Sequence, residues 1–75
     1  MTIVEAAEKV LRDAGREMSI DDIYDQIIAK ELFKFGAKDP KAVLKRTVRL
    51  KSDANPKAQP LLFKCTKPNV YKMAE

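Results

Sequence analysis

Apolar and polar positions alternate along the chain with three helical periods and two strand-like ones. Ile3, Ala7, Val10 and Ala14 recur every three or four residues, with Val4 and Leu11 beside them. This spacing predicts a first helix over residues 3–14. Thr2 and Glu5 stand three apart at its start, so each side chain can satisfy the other's free backbone N–H in a capping box. Gly15 supplies the left-handed residue that closes a helix. Arg16-Glu17-Met18 leaves room for a bridging strand and no more. Ser19 then caps again, Asp21 and Asp22 complement the positive helix end, and Ile20, Ile23, Ile27 and Ile28 give a broad apolar face with Tyr24 beside it. The second helix is expected over residues 20–30.

Leu32-Phe33-Lys34-Phe35-Gly36 is apolar without a clear period, and reads as a loop that tucks its aromatics beneath the third helix. Asp39-Pro40 is a strong helix start, a capping oxygen followed by a residue that needs no N–H. The third helix is expected over residues 40–52. At 100° per residue its apolar side gathers Leu50, Val43, Thr47, Leu44 and Val48. Residues 53–60 contain two prolines and no period, and read as a loop. Leu61 to Cys65 and Val70 to Met73 alternate like strands around Lys67-Pro68-Asn69-Val70, a turn sequence. A terminal hairpin over residues 61–73 follows, with Phe63, Cys65, Tyr71 and Met73 turned inward.

A hairpin this small is not stable alone and must lie against the helices. The expected architecture is mainly α with a small β-hairpin, three helices closed by a C-terminal wing. That is the plan of a winged helix-turn-helix in one domain over residues 1–75.

Charge sharpens this picture. Residues 1–33 carry four cations against eight anions, and residues 34–75 carry eleven against three. An acidic front and a basic back point to a polyanion-binding face in the second half. Lys41, Lys45 and Arg49 form an i, i+4, i+8 stripe on the third helix opposite its apolar side, with Arg46 flanking. Like charges at this spacing weaken an isolated helix, and no acid follows Asp39 to relieve them. Lys64, Lys67 and Lys72 extend the basic surface onto the hairpin. The expected ligand is double-stranded DNA, with the third helix on the major groove and the hairpin on the backbone. Arg46 and Arg49 are the better base readers, because guanidinium can grip guanine at two points. A solvated face that happens to be basic is the plainer alternative. Lysines also blunt the edges of exposed hairpins.

Other chemistry finds no support. The chain has no histidine and one cysteine, so a four-ligand Cys/His zinc site, an internal disulfide and a histidine-based triad are excluded. Cys65 at strand spacing reads as a small core residue. The acids of the second helix read as cap and solvent groups, and the lone glycine after Phe35 makes no phosphate loop. No cofactor is implied, and no apolar run is long enough for a membrane span.

The ordered set Val4-Glu5-Ala6-Ala7-Glu8-Lys9-Val10-Leu11, Ala14-Gly15, Met18-Ser19 and Ile23-Tyr24-Asp25-Gln26-Ile27 resembles the HARE-HTH domain. Phe35-Gly36, Pro40-Lys41-Ala42-Val43-Leu44, Phe63 and Val70-Tyr71 continue the resemblance to the end of the chain. It implies a winged helix-turn-helix of this size in transcription, chromatin or restriction-modification machinery. The site of action would be the bacterial cytoplasm at the nucleoid, or the nucleus in a eukaryote. A similar domain forms the folded part of the bacterial RNA polymerase delta subunit, which contacts protein. The alternative is therefore a protein-interaction module docking an acidic subunit of such a complex. The matching positions, Leu11, Gly15, Ile23, Tyr24, Ile27, Pro40, Leu44, Phe63 and Tyr71, are mostly core, so the basic site residues rest on the stripe alone. Asn69 replaces the glycine common in the wing turn, and Met73 replaces leucine. Asparagine tolerates a left-handed backbone and methionine has a similar volume, so neither departure opposes the fold.

Overall fold

Each of the three helices is started by a side-chain cap. A computed structural model describes residues 2–58 and 61–74. α1 (Ile3–Ala14) opens on the Thr2–Glu5 box, with Glu5 N–H donating to Thr2 Oγ1 at 3.1 Å and Thr2 N–H to Glu5 Oε1 at 3.0 Å. It closes on Gly15, whose φ of 64° lets its N–H reach the Leu11 carbonyl at 3.0 Å. β1 is only Met18–Ser19. α2 (Ile20–Ala29) is capped by Ser19, whose hydroxyl accepts from Asp22 N–H at 3.1 Å. It ends with Glu31 at φ 52°, and Leu32 N–H reaches back to the Ile27 carbonyl at 3.0 Å. α3 (Pro40–Leu50) is capped by Asp39, which accepts from Ala42 N–H at 3.2 Å. Helices α2 and α3 stop one and two residues short of their expected ends.

β2 (Phe63–Lys67) and β3 (Val70–Met73) form the hairpin, joined by Pro68 and by Asn69 at φ 64°. The sequence expects the first strand to begin at Leu61. Pairing begins at Phe63 instead, because Lys51 O accepts from both Leu62 and Phe63 N–H, at 2.8 and 3.0 Å. The strand then runs on to Lys67, with an irregularity between Cys65 and Lys67. β3 is the centre of an antiparallel sheet ordered β1-β3-β2, with Met18 opposite Tyr71 and Cys65 opposite Tyr71. Three helices and this sheet make the winged helix-turn-helix that the sequence predicts.

The core is continuous across the elements. Ala7, Ile23, Ile27, Leu44, Val48 and Phe63 have no exposure, and Tyr71 closes the sheet side. A truncation such as Leu44→Ala costs about 2–5 kcal/mol at such a site. The inward alternation of the hairpin holds fully for Phe63 and Tyr71, whereas Cys65 and Met73 are half-buried.

Two expectations need correction. Leu50 is 53% exposed, although the wheel puts it on the apolar side. It lies about 120° round from Leu44 and in the final turn, beyond the reach of α1 and α2. Phe33 and Phe35 do not lie beneath α3, whose underside is already filled by Leu44 and Val48 in contact with the other helices. They pack on Tyr24 of α2, with Tyr24–Phe35 centroids 5.3 Å apart and Phe33–Phe35 centroids 5.0 Å apart.

Residues 51–53 do more than link. Ser52 is fully buried, donates to the Arg49 carbonyl at 2.8 Å and makes a parallel bridge with Phe63. Asp53 Oδ1 accepts from Cys65 N–H at 2.8 Å. The end of α3 is thereby stitched to β2, which fixes the wing relative to the helix. Gln59 and Pro60 of the expected loop lie outside the described residues.

Candidate nucleic-acid interface

Leu44 and Val48 point α3 into the core, so the helical period leaves Lys41, Ala42, Lys45, Arg46 and Arg49 exposed. The wing comes to meet the same helix. Ile20 N–H donates to the Asn69 carbonyl at 2.8 Å, tying the hairpin turn to the start of α2. A groove of about 290 Å³ results between the first turns of α2 and α3 and the wing tip, with Lys41, Lys45 and Asn69 on its walls.

The stripe is not uniform. Lys41 Nζ stands 3.2 Å from Asp21 Oδ1 and 5.6 Å from the centre of the Tyr24 ring. The hydrogen bond to Asp21, reinforced by its charge and that of Asp25, raises the Lys41 pKa above the usual lysine value. Lys45, Arg46 and Arg49 make no ion pair among the described residues. Arg49 lies near Tyr71, whose pKa is raised chiefly by burial and then by Cys65, with Arg49 opposing. The C-terminal half of the stripe therefore borders β2, while its first member is already engaged by α2.

The wing lysines part company. Lys67 is exposed at the end of β2 beside the turn. Lys64 and Lys72 are directly opposed across the strands, a like-charge pair that disfavours the hairpin unless an anion lies near. Lys64 borders a shallow depression with Asp53, Leu61 and Ala74. Lys72 faces away from the α3 groove into a cleft with Arg12 and Arg16. Those two arginines escape sequence reasoning because the pairing of β1 with β3 brings them to Lys72. Asp21 escapes it because the packing of α2 on α3 decides its partner. Among the described residues no group of three or more His, Cys, Asp or Glu side chains could hold a metal, and no helix is long and apolar enough to cross a membrane.

Three helices, a long third-helix basic face and a hairpin fastened beside it define a helix-turn-helix protein of the winged class. Residues 1–70 match the family model HARE-HTH, the helix-turn-helix domain described for ASXL and restriction endonuclease proteins. The chain belongs to this family of DNA-binding, non-catalytic helix-turn-helix domains. Comparison with curated proteins and with solved structures gave no match.

Proposed function

We propose that this chain binds double-stranded DNA through α3 and the wing, without catalysis. Helix α3 lies on the major groove, where Lys45, Arg46 and Arg49 supply phosphate and base contacts. Lys41 joins them after parting from Asp21. Lys67 and Lys64 hold the backbone from the wing, and Lys72 adds a contact farther along the sheet. The observation that carries this reading is the unpaired cationic face of Lys45, Arg46 and Arg49 on the helix to which the wing is stitched. An electrostatic surface of this kind gives sequence-tolerant affinity first, with discrimination added by the arginines. Its place of action is then the nucleoid or the nucleus.

Titration of the ¹⁵N-labelled chain with a short duplex at low salt tests the proposal. Shift changes clustered on residues 41–49 and 64–72, absent from the Lys45→Glu/Arg49→Glu variant, are expected. No perturbation at low salt would overturn it and leave an acidic protein surface as the partner to seek.

A further inference from the structure

Lys72, Arg12 and Arg16 meet on a part of the surface that the α3 groove does not include. The cleft is about 270 Å³, and its lining is Leu11, Arg12, Gly15, Arg16, Lys72 and Met73. Its cations come from the last turn of α1, from the residue after the helix cap, and from the middle of β3. Gly15 makes the convergence possible. Its left-handed backbone reverses the chain at the helix end, and a Cβ there would meet nothing within 4 Å, so the mouth of the cleft is open.

The charge in this cleft exceeds what the fold requires. A helix C-terminus carries only about half a negative charge, and one basic side chain satisfies it. Glu8 takes part of the Arg12 charge at 3.3 Å, and Glu17 accepts a hydrogen bond from the Thr66 hydroxyl. Neither carboxylate lines the cleft. After Glu8 and the helix end are counted, about one and a half positive charges remain uncompensated. Lys72 is moreover held opposite Lys64, against their mutual repulsion. Two planar guanidinium groups and an ammonium around an opening floored by Leu11 and Met73 suit a compact tetrahedral oxyanion. The guanidinium forks supply paired donors, and the apolar floor strengthens the field.

We infer that this cleft binds a phosphoryl group through Arg12, Arg16 and Lys72. The site contains no residue of α3, so it stands or falls apart from the DNA reading except for Lys72, which it assigns to this cleft. The phosphoryl group can belong to a nucleic-acid backbone or to a free phosphate, and the two sources are separable.

The test is a ¹⁵N titration with inorganic phosphate at constant ionic strength, made up with chloride. Saturable shifts at Gly15, Arg16 and Lys72 are expected, with affinity weakened about tenfold or more in Arg16→Gln/Lys72→Gln. All substituted side chains are exposed, and an unchanged amide spectrum of the variant shows that the fold is kept. A second arm adds a short duplex to Lys45→Glu/Arg49→Glu, in which the α3 face is disabled. Shifts at residues 12–16 and 72 there identify the backbone phosphodiester as the source. Shifts with inorganic phosphate alone identify a free phosphate. Linear, unsaturable shifts with phosphate, or the same curve in Arg16→Gln/Lys72→Gln, overturn the site. Failure of the DNA reading has a different signature, the absence of duplex-induced shifts at residues 41–49 in the unsubstituted chain.

Discussion

Helices α1 and α3 are nearly the same length, are both capped and both bury one apolar face, yet their exposed faces are opposite in kind. On α1 the charges answer one another. Lys9 pairs with Asp13 at 3.6 Å, Arg12 with Glu8 at 3.3 Å, and Lys30 of the α2 end adds a contact to Asp13 at 3.4 Å. On α3 no intrahelical acid answers Lys41, Lys45, Arg46 or Arg49, and the only ion pair among the described residues comes from Asp21 of α2. Exposed pairs like those of α1 contribute a few tenths of a kcal/mol each and keep a surface neutral. An unanswered row of cations costs a similar amount in the free protein, and the cost is reversed when polyphosphate arrives. The difference separates charge that serves the helix from charge that serves a ligand.

The largest expected effect is the salt dependence. If α3 and the wing neutralise roughly four to six phosphates, log K falls against log salt with a slope of about −3.5 to −5.5. Affinity then drops by a factor on the order of 10² to 10³ between 50 and 200 mM salt. Fluorescence anisotropy at four salt concentrations measures it. A slope near zero would erase the distinction between the two helices.

Single charge reversals sharpen the comparison. Arg49→Glu is expected to weaken duplex binding about tenfold or more, as loss of a charged contact does. Lys9→Glu changes the net charge equally and should alter affinity only through the general field. Its effect should appear in thermal melts instead, as the loss of the Asp13 pair, about 0.3–0.5 kcal/mol. Equal losses of affinity from both reversals would show that net charge, and not the α3 face, governs binding.

Much of this frame is legible in the sequence, because caps and periods are local. Thr2 with Glu5, Ser19 with Asp22, Asp39 before Pro40 and the left-handed Asn69 are each decided within four residues. The stripe on α3 is legible for the same reason, since a helical period alone turns it away from Leu44 and Val48. What sequence reading misses depends on how elements pack. The hold of Asp21 on Lys41 requires the crossing of α2 and α3. The cleft of Arg12, Arg16 and Lys72 requires β1 to pair with β3. The burial of Ser52 requires α3 to end against Phe63. Leu50 shows the complementary error: a helical wheel assigns a side without knowing where the neighbouring helices stop.

A smaller effect is expected from releasing Lys41. Asp21→Asn removes its partner, so duplex affinity should rise a few-fold and the salt slope should steepen by about 0.9, one further phosphate. Asp22→Asn is the charge-matched control, because its carboxylate makes no ion pair among the described residues and only its backbone N–H serves the Ser19 cap. Identical gains from both substitutions would reduce Asp21 to a contributor to the overall field.

The smallest effect belongs to α1 and concerns acid stability. Glu5 has a pKa below its ordinary value, chiefly through the Thr2 backbone hydrogen bond and then through the Thr2 side chain. Asp13 is also lowered, first by Lys30 and then by Lys9. A carboxylate depressed in the folded state favours folding above its unfolded pKa, and that contribution is lost as pH falls through the folded value. The relevant windows therefore run downward from about 4.5 for Glu5 and about 3.8 for Asp13. Solvent screens both exposed groups, so the contribution is small. Thermal melts between pH 6 and pH 2.5 should show the unsubstituted chain losing stability with acid. Glu5→Gln and Asp13→Asn should each begin slightly less stable at pH 6 and converge with the unsubstituted chain near pH 2.5. The convergence carries the argument, because protonation removes from the native residue what substitution has already removed. Curves that stay parallel throughout would mean that the α1 carboxylates act through shape alone, and that the charge pairing which sets α1 apart from α3 adds nothing to its stability.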